Sequence, residues 1–225
     1  MPVRDFPQRS GNSGDFTLDK WLDLIANRLN LDDQIELTSV ADGDELGIFD
    51  VSANAFRKIT KANLTTGFST GITLSTEQAS TSGTSIDFTG IPTGIKRITI
   101  MFFGCSTNGT SVPLIQIGDA GGIEATGYLG ASSNLSAGVN FTTGWGLVTT
   151  HAATVVWHGA MTLSLEDSSD DSWVASGTIG ISSAALVYSN GGSKSLSSTL
   201  DRVRITTVGG TDAFDAGVIN ISYEK

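Results

Sequence analysis

"TVVWHGAMTLSLE", residues 154–166, alternates with a period of two. Val155, Trp157, Met161, Leu163 and Leu165 fall on one side, and Thr154, His158, Thr162, Ser164 and Glu166 on the other. That period belongs to a half-buried β-strand, because successive side chains of an extended chain leave on opposite faces. The same reading extends outward in both directions. In "IKRITIMFFG" (95–104), Ile98, Ile100 and Phe102 share a face against Arg97 and Thr99. In "DSWVASGTIGI" (171–181), Trp173, Ala175, Ile179 and Ile181 do the same. "SNGGS" (189–193) reads as a turn. "LDRVRITTV" (200–208) and "AGVINISYEK" (216–225) supply closing strands, with Val203, Ile205, Ile219, Ile221 and Tyr223 inward. About eight to ten such strands fit between residues 86 and 225, spaced as in a sandwich or jelly roll. No regular rung repeat is present, which argues against a parallel β-helix.

The bulk composition agrees. The 225 residues include 27 glycines and only 16% charged residues, the composition of many short strands joined by polar turns. A net charge of −10 sets the chain against nucleic acid and anionic membrane surfaces. The single cysteine, Cys105, forms no internal disulfide, lies in no metal-type spacing, and reads as a small buried hydrophobe. The N-terminus lacks a signal-peptide core, and no apolar run approaches the roughly 18 residues of a membrane span. The expectation is a protein kept in the cytoplasm where it is made, without membrane insertion.

Ahead of the strands the pattern changes. Residues 1–14 read as an arm, and "DFTLDKWLDLIANRLNL" (15–31) puts Leu18, Trp21, Leu22, Ile25 and Leu29 on one helical stripe, with Thr17 as N-cap. The stripe is too short for an isolated coiled coil and must dock, on the chain's own sheet, on another copy or on a larger particle. The Ser/Thr/Gly-rich stretch over 65–85 reads as a linker or edge region. This gives an N-terminal part over 1–70 and a β domain over 71–225.

Between them lies "DGDELGIFDVSANAFRKIT" (42–60), acidic and then basic. A calcium loop needs oxygen ligands at alternate positions ahead of its glycine, but Leu46 stands where the third would be, just before Gly47. The stretch reads instead as a β-hairpin, with acids on the first arm and Arg57 and Lys58 on the second. Opposite charges across the arms would favour that register. A lone hairpin is marginal in water, so Leu46, Ile48, Phe49, Phe56 and Ile59 are assembly candidates together with Trp21, Leu22, Ile25 and Leu29.

"DGDELGIFDVSANAFRKITKANL" (42–64) resembles a small module of the N-terminal regions of bacteriophage tail fibres and other virion appendages. "LDRVRITTVGGTDAFDAGVINISYE" (200–224) is similar to the closing strands of a domain at the ends of phage fibre-type proteins. "GIKRITIMF" (94–102) and "IQIGDAGGIEATGY" (115–128) are similar to that domain's start. The resemblance spans roughly residues 40–225. It implies a homotrimer in the virion, assembled in the host cytoplasm, with the N-terminal part attached to other virion proteins of capsid or tail and the β domain facing outward.

The whole is expected to be all-β: a C-terminal antiparallel β-sandwich of jelly-roll type, preceded by a short N-terminal helix and a β-hairpin. Its expected task is host attachment as a tail or head fibre or spike, with the head binding surface polysaccharide through three copies acting together. Tyr128, Trp145 and Tyr188, placed in or near loops, are the candidate glycan contacts. The alternative is a capsid decoration or cement protein. A depolymerase ranks below both. Asp119 and Glu124 offer a carboxylate pair and Glu166, Asp167, Asp170 and Asp171 an acidic loop, but glycine-rich and acidic loops are common without chemistry. His151 and His158 accompany no nucleophile motif. No enzyme activity, cofactor or metal is expected.

Overall fold

The computed structural model describes residues 45–50, 55–60 and 71–225. The expected helix, with Trp21, Leu22, Ile25 and Leu29, lies outside the described residues. The chain divides into two compact units, Met1–Phe68 and Ser69–Lys225.

In the first unit, β1 (Glu45–Asp50) and β2 (Ala55–Thr60) pair antiparallel, with Leu46 opposite Ile59 and Phe49 opposite Phe56. This register corrects one expectation. Arg57 stands opposite Ile48 and Lys58 opposite Gly47, so no acid directly opposes a base. Glu45 and Lys58, like Asp50 and Arg57, are diagonal neighbours, a weaker arrangement.

The second unit is all-β and antiparallel, with no helix among the described residues. Its strands are β3 (Thr73–Leu74), β4 (Gln78–Ala79), β5 (Ile86–Thr89), β6 (Arg97–Thr107), β7 (Pro113–Asp119), β8 (Gly122–Ile123), β9 (Leu129–Ser133), β10 (Gly138–Phe141), β11 (Trp145–Gly146), β12 (Trp157–Asp167), β13 (Ser172–Ile181), β14 (Leu186–Ser195), β15 (Arg202–Thr207) and β16 (Phe214–Glu224). A nine-stranded sheet runs β10-β9-β14-β13-β12-β6-β16-β3, with β4 also on β16. A five-stranded sheet runs β11-β7-β15-β5, with β8 on β7.

The period-two faces land as the alternation requires. Ile98, Ile100, Phe102, Trp157, Met161, Leu163, Trp173, Ala175, Ile179, Ile181, Ile219 and Ile221 are buried on the larger sheet, and Tyr223 is half-buried against them. Ile86, Phe88, Ile115, Ile117, Val203 and Ile205 from the smaller sheet join the same core. Each Ile, Leu, Val, Met or Phe among them contributes about 1.5–3 kcal/mol of burial free energy, which makes this shared core the main source of stability.

Two local features depart from the simple alternation. "SNGGS" is not a turn: it lies within β14, paired on both sides with β13 and β9. Its Asn190 points inward and donates to the carbonyls of Gly146 and Leu147, each at 2.8 Å. A Cβ on Gly192 would stand 2.8 Å from Trp145 Cδ1 and 2.3 Å from the Leu129 carbonyl. The glycine is there to let the indole lie on the sheet. In β6, an extra residue separates the pairs Trp157/Cys105 and Gly159/Phe102, a β-bulge that Gly104 accommodates at φ 66°. The bulge leaves Phe103 73% exposed, edge-on to the His158 ring at 5.8 Å.

Candidate functional site

The three aromatic residues expected to meet a glycan are core residues. Tyr128 and Trp145 are 1% exposed and Tyr188 3%, so none offers a ring face to a sugar. Tyr128 and Trp145 pack edge to face at 5.1 Å. The Tyr128 hydroxyl accepts from the Ile117 amide at 2.7 Å and donates to the Glu124 carbonyl at 2.9 Å. In the sequence these residues fall in or near loops. For Trp145 the missed signal was Gly130 and Gly192, whose missing side chains leave room for the indole.

The second candidate, Asp119 and Glu124, is brought together around Ser197. The Ser197 hydroxyl donates to Asp119 Oδ2 at 2.6 Å, and its amide donates to Glu124 Oε1 at 2.7 Å. The buried Lys194 ammonium bridges Glu124 Oε2 and the Ser195 carbonyl, above the Tyr128 ring at 5.7 Å. The Ser197 hydroxyl and the Gly121 amide hold the Asp119 carboxyl below its usual range. Burial pushes Glu124 up, but Lys194 and Ser197 outweigh it and leave that carboxyl low as well. Both groups are therefore ionised, saturated with donors and committed to tying the 119–128 loop to the end of β14. A general acid needs the opposite, a raised carboxyl facing substrate.

Both histidines and two acids of the 166–173 loop are likewise tied into the architecture. His151 Nε2 lies 2.8 Å from Thr107 Oγ1, its ring is edge-on to Trp157 at 5.1 Å, and burial lowers its pKa against the opposing pull of Asp212 and Asp215. His158 Nδ1 accepts from the Gly104 amide at 3.0 Å, filling the β6 bulge. In the acidic loop, Asp167 caps the Ser169 amide at 2.7 Å and Asp170 the Ser172 amide at 3.1 Å, which is turn chemistry. Among the described residues no three His, Cys, Asp or Glu side chains are grouped to hold a metal ion.

Two surfaces remain uncommitted. The first is the outward face of the nine-stranded sheet. One cross-strand row runs Asn140, Ala131, Gly191, Ser176, Thr162, Thr99 and Ser222. The next runs Gly138, Ser133, Ser189, Thr178, Ala160, Met101 and Asn220. Neither row holds a charged residue, and Phe103 stands at its end. The charges of this face lie at its margin, where Arg97 grips Glu224.

The second is a cleft of about 360 Å³ between the sheet edges formed by β5 and by β3, β4 and β16. Phe88, Ile91 and Ile221 give it an apolar lining, and Ser75, Thr76, Gln78, Asp87, Thr89, Gly90 and Tyr223 complete it. Sequence reading marked 65–85 as linker or edge; its second half is edge, forming one wall of this cleft.

No protein-family model, no curated protein and no solved structure matches the chain.

Proposed function

We propose that this chain is a virion structural protein, a homotrimeric fibre or spike whose β domain is an exposed sandwich head that binds host-surface glycan. The single observation that supports it is the pair of charge-free cross-strand rows on the outward face of the nine-stranded sheet, whose Arg97–Glu224 ion pair lies at the margin. A chain with net charge −10 repels its own copies, and a broad face of Ser, Thr, Gly, Ala and Asn is where copies approach without that penalty. The committed state of Asp119, Glu124, Asp167 and Asp170 favours binding over turnover. Association of three weak sites gives the avidity that one site lacks.

Light scattering on the purified chain tests the reading. The expected mass is three times the 23.4 kDa of one chain. A monomer at micromolar concentration overturns it. Immunogold labelling then separates a fibre from a capsid decoration protein.

A further inference from the structure

We infer that the cleft between β5 and the β3/β4/β16 edge is the saccharide site of the head, built for a neutral sugar. The inference rests on the glycan-binding reading above and supplies the site that Tyr128, Trp145 and Tyr188 do not.

Its chemistry is that of a polyol receptor. Among the described residues, the hydroxyls of Ser75, Thr76, Thr89 and Tyr223 make no hydrogen bond within the protein, so each can donate to and accept from a ligand hydroxyl. Gln78 donates its amide to the Asp87 carbonyl at 2.8 Å, which fixes the side chain and leaves its oxygen as an acceptor. Phe88, Ile91 and Ile221 close the floor of the cleft but are only 3%, 5% and 1% exposed, so recognition falls to the polar rim. The volume falls within the range of about 300–1,000 Å³ in which small-molecule sites lie.

Charge decides the ligand class. The carboxylate of Asp87 is held by both arms of Arg204, each at 2.7 Å, so the one charged residue of the lining is already neutralised. No cation or anion in the cleft would find an unpaired counter-charge. A neutral hexose or N-acetylhexosamine matches; a sialylated or phosphorylated glycan does not. The site is open to solvent, so a single copy binds weakly and the copies acting together supply the strength.

Saturation-transfer NMR on the full chain tests this, with methyl glycosides of glucose, galactose, mannose and N-acetylglucosamine as probes and sialic acid as the charged control. The expected result is transfer to at least one neutral glycoside and none to sialic acid. In T76V, T89V and Y223F, which remove hydroxyls at nearly constant volume, the dissociation constant is expected to rise at least tenfold with the mass unchanged. Undiminished transfer in all three variants overturns the cleft and leaves glycan binding elsewhere standing. No transfer from any neutral glycoside overturns the cleft and the glycan half of the function together. A monomeric mass with sugar binding intact sinks the trimer and spares the cleft.

Discussion

The two sheets present opposite outer faces to the world. On the five-stranded sheet, Arg204 grips Asp87 and Arg202 grips Asp201, so that face carries fixed, paired charge. On the nine-stranded sheet, two cross-strand rows carry none. Both faces cover the same core, and the inward sides are built alike from Ile, Val, Phe and Trp. The difference therefore has no origin in folding. Exposed ion pairs add little stability, typically below about 1 kcal/mol, but they keep a surface hydrated. A face without them loses little by being covered.

The contrast is broken most strongly from the inside. Trp145→Ala empties the space between the sheets and is expected to lower stability by roughly 3–5 kcal/mol, read from chemical denaturation. The next largest effect is on association. Ser176→Asp with Thr178→Asp places like charges on the neutral face of every copy; light scattering should give monomers while the thermal midpoint of the isolated domain hardly moves. An unchanged mass would mean that this face is not where copies meet. Acid sharpens the picture further. Burial keeps His151 neutral in the fold, whereas the unfolded chain takes up a proton near pH 6.5, so stability should start to fall as pH drops below that value. Glu124 and Asp119 are held below their ordinary 4.5 and 3.8, so the stability they confer is present above those values and is lost in a second stage as pH falls below them and through the lowered values of the fold. Thermal midpoints across pH should show both stages, and His151→Gln should abolish only the upper one. The smallest effect belongs to the charged face: Arg204→Gln should cost at most about 1 kcal/mol and leave the mass unaltered.

The strands were legible because their alternation is strict: every residue assigned inward from 98–102, 173–181, 203–205 and 219–221 is buried. What escaped was set by partners distant in sequence. Gly191 and Gly192 look like a turn until Trp145, brought from β11, is seen lying against Gly192. Tyr128 sits among turn-forming residues, yet its hydroxyl completes the backbone of Ile117 and Glu124, a bond that no local pattern announces. The cleft was illegible for the same reason. Its lining comes from segments around 75–78, 87–91 and 221–223, which sheet edges alone bring together. The neutral face was present as the polar half of each alternating strand, but its absence of charge emerges only when the cross-strand rows are aligned.

Cys105 lies fully buried where β6 meets β12 and β16, and burial raises its thiol pKa, so it stays protonated and shielded. It is also the sole cysteine of the chain. A thiol-reactive reagent added to the native protein therefore meets one target, and only when the larger sheet opens around the β6 bulge. The pace of that modification times the opening of the core, giving the molecule a built-in clock for its own kinetic durability that needs no engineered label.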